Sequence, residues 1–229
     1  MKLDLVVPTL DREKKLINCI ESILRFKTNY NITLYLYFSS YKEMEKIKKY
    51  YSFDWINYKF TIYDRCSSFW NQHLLQMKSD AMCYLNDDVI LLENTLEKIF
   101  EVFSKQFPDY DGVMGLNQTN LPQDQIVKSA FGVIGNKYAD RFPKRQVFCP
   151  DYYRFYTDLE LYLYSNKINK FYFDEQIGLV HHHPSHGYIA DETHRTVRKY
   201  RPKDSQIFGI RNNRKLLWGE SFELIGDKI

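Results

Sequence analysis

Residues 81–100 read AMCYLNDDVILLENTLEKIF. Residues 81–85 are an unbroken apolar run, too short for a helix and without the alternation of a half-buried strand. Such a run predicts a strand covered on both faces. It leads straight into Asn86-Asp87-Asp88. Past the acids, Leu96, Ile99, Phe100 and Phe103 recur at helical spacing, which predicts an amphipathic helix over residues 93–107. A buried strand, a polar end and a covering helix make the unit from which parallel sheets are built.

That unit is preceded by three others. Residues 3–7 are apolar but for Asp4 and stop at Pro8, and residues 12–26 carry Leu16, Ile17, Ile20, Ile23 and Leu24 at helical spacing, with Asp11 where an N-cap belongs. Residues 32–38 predict a strand and 41–51 a charged helix. Residues 58–63 predict a third strand, and 67–78 a helix capped by Ser67 or Ser68. Strand and helix alternating four times predict an α/β fold with a mostly parallel sheet. The second half is less regular. Strands are expected at 113–116, 127–134, 170–173 and 178–183, and helices at 156–165, 191–200 and 205–214.

The chain has 229 residues, 44% of them hydrophobic and 27% charged, which suits one globular domain with a substantial core. No repeat or low-complexity linker divides it. The expected organisation is a single domain over residues 1–190, with halves 1–88 and 89–190, and a helical extension over 191–229. No apolar run approaches the roughly 18 residues of a membrane span. The N-terminal run is too short for a leader peptide. The cysteines Cys19, Cys66, Cys83 and Cys149 lack metal-site spacing and read as reduced thiols of a cytoplasmic protein. Net charge is +3, but residues 194–215 hold eight Lys/Arg against one Asp. The body is therefore near neutral, and one segment near its end is basic.

In open parallel sheets, ligands bind at the C-terminal ends of the strands. Here those ends carry Pro8-Thr9-Leu10-Asp11-Arg12, Asp64-Arg65 and Asn86-Asp87-Asp88. Adjacent carboxylates repel unless something positive is near, and Mg²⁺ or Mn²⁺ is a common remedy for such hard oxygen ligands. The alternative is a solvated turn. Residues 178–187 read GLVHHHPSHG. On a strand, His181 and His183 share one face and His182 points away, so three consecutive histidines cannot all face one metal.

The stretches LDLVVPTLDRE from residue 3 and AMCYLNDDVILLENTLEKI from residue 81, joined by DRCSSFWNQHLLQMKSDAMCYLNDD from residue 64, resemble the GT-A glycosyltransferases of family 2. The resemblance covers about residues 3–185. It implies a GT-A fold and a metal-dependent transferase using a nucleotide-diphosphate sugar, by family frequency a UDP-sugar, with Mn²⁺ or Mg²⁺. It implies that Pro8, Thr9, Asp11 and Arg12 border the base and ribose, with Asp64 near the base. Asn71 is expected near the nucleotide or the loop that holds it, and Asp87 near ribose or metal. Asp88 is the implied metal ligand, joined by His181 or, second, His183. Asn86 departs from the family's acidic pattern at the first position of that motif.

In YRFYTDLELYLYS, from residue 153, the resemblance implies a general base for the acceptor hydroxyl, Asp158 ahead of Glu160, and hence inversion. The basic segment, with Arg195, Arg198, Arg201, Arg211 and Arg214, is expected to contact phosphate, with Arg198 and Arg211 as candidate clamps on the donor diphosphate. A helical closure with solvated charge is the plainer alternative. A glycan or lipid-linked acceptor in surface polysaccharide synthesis is expected, with contact at the inner face of a membrane left open. A hydroxylated base in DNA is the alternative acceptor, and a non-catalytic nucleotide-sugar-binding module the alternative function. A sugar-1-phosphate nucleotidyltransferase would need a glycine-rich phosphate loop after the first strand, and no glycine precedes Gly112.

Overall fold

An eight-stranded mixed sheet runs through the whole molecule. The computed structural model describes residues 1–27, 29–62 and 65–226. Strands β1 (Lys2–Thr9), β2 (Asn31–Phe38), β3 (Ile56–Phe60) and β4 (Ala81–Tyr84) are parallel, joined by α1 (Glu13–Phe26), α2 (Tyr41–Tyr50) and α3 (Cys66–Gln76). After β5 (Val89–Leu91) and α4 (Thr95–Gln106) come β6 (Val113–Gln118), β7 (Gly132–Gly135), α5 (Asn136–Ala139), α6 (Thr157–Lys167) and β8 (Phe171–His181). The strand order is β3-β2-β1-β4-β7-β6-β8-β5. Antiparallel pairing of β4 with β7 joins the two halves in one sheet. The extension carries α7 (Glu192–Val197) and α8 (Arg201–Asn213).

The strands alternate between two cores. Leu3, Leu5, Val7, Ala81, Cys83 and Leu85 face the core under α1 and α4, while Val6, Met82 and Tyr84 face a second core with Trp70, Phe148 and Leu161. Both faces are covered, which is why these strands read as continuous apolar runs. Pro8 sits in β1 beyond the last residue that pairs with β4, so its missing N–H leaves no gap in that ladder. Cys19, Cys83 and Cys149 are buried free thiols. Among the described residues no helix is long and apolar enough to cross a membrane.

Several local expectations are corrected. Asp11 does not cap α1: it turns through the left-handed region at φ 49°, and Arg12 precedes the helix. Aspartate tolerates that conformation better than most residues. Helix α3 starts at Cys66, which leaves Ser67 buried inside its first turn. The late strands at 170–173 and 178–183 are one strand, β8. Leu116 pairs with Asp174 but Asn117 with Gly178, so a bulge of three residues made it look like two. Strand β5 went unread because three residues after the acids are too few for a periodic signal. Helix α8 starts at Arg201, earlier than expected, because Pro202 lies in its first turn, where its missing N–H costs nothing.

Glu43, in the first turn of α2, is buried. Burial, with Asp11 and Asp87 close by, pushes its carboxyl up to about 7. The folded value lies above the ordinary 4.5, so the penalty is absent below pH 4.5, builds as pH rises, and is complete above about 7. Glu43→Gln should therefore stabilise the fold by roughly 1–3 kcal/mol at pH 8, a gain that shrinks toward zero at pH 4.5. Urea denaturation at the two pH values reads the difference.

Candidate functional site

The acid pair follows β4 after Leu85 and Asn86, and both carboxylates are buried. Arg12 stands between them. Its Nη1 donates to Asp87 Oδ1 at 2.6 Å and its Nη2 to Asp88 Oδ2 at 2.5 Å. Thr9 Oγ1 donates to Asp87 Oδ2 at 2.9 Å. The ends of β1 and β4 are adjacent in the sheet, which brings these four side chains together. The positive charge beside the acid pair is thus supplied within the chain. Burial works against the Arg12 cation, but Asp87, Asp88 and Asp191 outweigh it and raise its pKa. Burial also pushes Asp87 up to about 6 despite Arg12. Asp88 goes the other way: burial is outweighed by His181, His194 and Arg12, which hold it well below the usual carboxylate range.

His181 reaches the pair through the sheet. Strand β5 runs antiparallel to β8, with Val89 opposite His181, and His182 N donates to the Asp88 carbonyl. His181 Nδ1 lies 2.9 Å from Gln118 Oε1, and Nε2 points at Asp88. Nε2 and Asp88 Oδ1 are 3.3 Å apart, and both atoms are buried without a hydrogen-bond partner. A carboxylate oxygen and an imidazole nitrogen so placed need a proton or a cation between them. The pair could hold a divalent metal, and Gln118 would then orient the imidazole as outer-shell partners of metal-bound histidines do. Among the described residues no group of three or more His, Cys, Asp and Glu side chains forms a complete metal cage. The His183 ring is 5.0 Å from that of His181, and burial pushes its pKa down to about 3, which keeps it neutral.

The extension closes on the same point, but through Asp191 and His194, which sequence reasoning did not name for it. Asp191 caps α7 by accepting from His194 N. The same carboxylate lies 3.0 Å from Arg12 Nε and 2.8 Å from Lys15 Nζ. His194 Nε2 stands 3.6 Å from Asp88 Oδ2. The signal was present as an Asp with a His three residues later at a helix start, but a cap of this kind normally ends locally. Arg154 was also missed. Its charge is close enough to Asp87 to lower that group's pKa.

Asp158 lies in the first turn of α6, and Ser129 Oγ donates to its backbone carbonyl at 2.6 Å. Tyr84 Oη donates to the Ser129 carbonyl, so α6 is tied to β4, the strand that carries the acids. Burial raises the Asp158 carboxyl above its ordinary value. Asn71 spends its amide on both backbone groups of Phe148 and holds that segment in place. Asn86 leaves its side-chain oxygen buried without a partner. Asp64 lies outside the described residues.

Two candidates belong elsewhere. Arg211 is fully buried, donating to Glu160 Oε1 at 2.9 Å and to the carbonyls of Glu223 and Ser221. Glu160 also accepts from Trp218 N. Arg211 is therefore no diphosphate clamp, and Glu160 is no free base: together they seat the C-terminal segment. Helical spacing put Arg211 on a basic stripe, but α8 turns that residue inward. Arg195, Arg198 and Arg201 do not share a helix side either, since a 3-10 turn over Arg198–Tyr200 separates α7 from α8. Arg198 is exposed on that turn. Arg211→Ala would leave Glu160 buried without its cation, and should cost about 3–5 kcal/mol in chemical denaturation while leaving nucleotide affinity of the folded protein unchanged.

The family model for glycosyl transferase family 2 matches residues 4–157. A search of curated protein sequences gives no match. Among solved structures, the chain is similar to a mannosyltransferase, PcManGT from Pyrobaculum calidifontis, in complex with GDP-Man and Mn²⁺. That match has a TM-score of 0.65 and 9% identity, and covers 89% of this chain and 61% of the other. The chain is also similar to S. aureus TarS 1-349 in complex with UDP, with a TM-score of 0.54 and 15% identity over 78% of this chain and 59% of the other. At these identities the likeness is one of fold, and the chain spans about three fifths of each of those structures.

Proposed function

Because the chain belongs to glycosyl transferase family 2, we propose that it transfers a sugar from a nucleotide-diphosphate donor to an acceptor hydroxyl, with its donor site at the C-terminal ends of β1 and β4. The observation that carries this reading is the buried Asp87–Asp88 pair, braced by Arg12, with Asp88 Oδ1 and His181 Nε2 facing each other unpartnered. Asp88 and His181 would hold Mn²⁺ or Mg²⁺, with His183 nearby as a second imidazole. A bound divalent ion would offset the negative charge of the leaving diphosphate.

The remaining roles fall to the chain's own side chains. Thr9, Asp11 and Arg12 border the nucleoside, and Asp87 meets the ribose. Asp158 accepts the proton of the acceptor hydroxyl as its oxygen attacks the anomeric carbon, which inverts that centre. A carboxyl raised by burial is the stronger base once ionised. Arg154 adds positive charge beside Asp87. Glycan or lipid-linked acceptors fit this chemistry. The exposed Arg195, Arg198, Lys199, Arg201 and Lys203 favour an acceptor that is itself anionic, nucleic acid included.

Uridine and guanosine diphosphate sugars are the first donors to test, because the structural neighbours were solved with UDP and GDP-Man. Thermal shift with each donor, with Mn²⁺ and with EDTA, is the experiment. A rise in Tm for at least one donor supports the reading. No shift with any donor counts against it.

A further inference from the structure

Asp204 lies in the first turn of α8, outside the span of the family match, and is 1% exposed. Its carboxylate accepts three consecutive backbone N–H groups. Oδ1 takes Tyr153 N at 2.9 Å, and Oδ2 takes Arg154 N and Phe155 N, each at 2.8 Å. Hydrogen bonds to an ionised acceptor are the stronger kind, and three of them fix a loop that makes no ladder of its own. Aromatic stacking adds to the grip. Tyr153 stacks on Tyr200 and Tyr156 on Phe208, so each ring pair joins the same loop to the extension.

What this loop carries gives the arrangement its consequence. Tyr156, at φ 69°, is the left-handed turn into α6, and Asp158 stands two residues further on. The backbone that leads into the first turn of α6 is therefore held by one carboxylate from the C-terminal extension.

We propose that Asp204 is a positioning residue for sugar transfer: by binding the amides of residues 153–155 it fixes the turn into α6 and so sets Asp158 against the acceptor. This rests on the transferase reading above. Asparagine at 204 keeps the size but replaces one acceptor oxygen with an NH₂ group that meets the facing amides donor to donor. The loss should fall on turnover more than on nucleotide binding, because β1 and β4 hold the donor independently of this loop.

The test compares wild type, Asp204→Asn, Asp204→Glu and the core variant Ile207→Val on the donor that wild type turns over. The expected result is a kcat at least about tenfold lower in Asp204→Asn, with UDP or GDP affinity within about threefold of wild type, faster amide exchange at residues 153–155, and partial recovery in Asp204→Glu. Ile207→Val, a buried neighbour on the same helix, should lose stability and keep its kcat. An unchanged kcat in folded Asp204→Asn overturns the proposal, as does an equal kcat loss in Ile207→Val. Should Asp204→Asn not fold, Asp204→Glu is read instead: a kcat below that of Ile207→Val with nucleotide affinity retained supports the role, and wild-type kcat overturns it. If wild type turns over no donor, it is the transferase reading that fails.

Discussion

Asp158→Asn is expected to bind the donor as wild type does and to transfer its sugar more slowly by a factor on the order of 10² to 10⁴, the usual loss when a general base is removed. The amide is nearly isosteric, so the first turn of α6 and its bond to Ser129 should persist. The carboxyl that is lost is the one burial raises above its ordinary value. The base must be ionised to act, so in wild type the rate should fall as pH drops through that raised value. In the variant this acid limb should vanish. Single-turnover transfer over a pH series reads both effects. A variant as fast as wild type would remove Asp158 from the mechanism. Glu160→Gln gives no rescue of the idea, because that carboxylate is already held by Arg211 and Trp218 N.

The second large effect concerns Asp88. Asp88→Ala should abolish the gain in nucleotide affinity that Mn²⁺ gives wild type, leaving weak binding that EDTA does not change. The reason is local. Asp88 Oδ1 and His181 Nε2 are buried, 3.3 Å apart and without a hydrogen-bond partner, and removing one leaves a cation a single protein ligand. Gln118→Ala, which frees the His181 ring, should show the same loss in milder form, about tenfold or more in Mn²⁺ affinity. Calorimetry with Mn²⁺ and UDP or GDP measures both. A Mn²⁺-dependent affinity that survives Asp88→Ala would show that the metal sits elsewhere or is not used.

The first half of the fold was legible because its signals are local. The unbroken apolar run of residues 81–85 reads as a strand buried on both sides, and residues 3–7 carry the same pattern interrupted at Asp4. The same reading brought Thr9, Arg12, Asp87 and Asp88 to one sheet edge, where they meet. It did not foresee that Arg12 would bridge the acids, because the charge partner of a buried carboxylate is set by tertiary packing. His181 was placed by its strand, but its bond to Gln118 spans 63 residues and leaves no trace in either segment. The extension was least legible. Its basic composition suggested a phosphate-binding face, yet Arg211 turns into the core and the working carboxylates are Asp191 and Asp204. Their partners lie far away in sequence, and composition records how many charges a segment has, not which of them point inward.

The most direct test of the account is release of nucleoside diphosphate from UDP- and GDP-sugars by the wild-type chain, followed by chromatography with Mn²⁺ and with EDTA. The account predicts release from at least one donor in Mn²⁺, lost in EDTA and lost in Asp88→Ala. Release that is equal in EDTA, or no release from any donor by a folded protein, would contradict it.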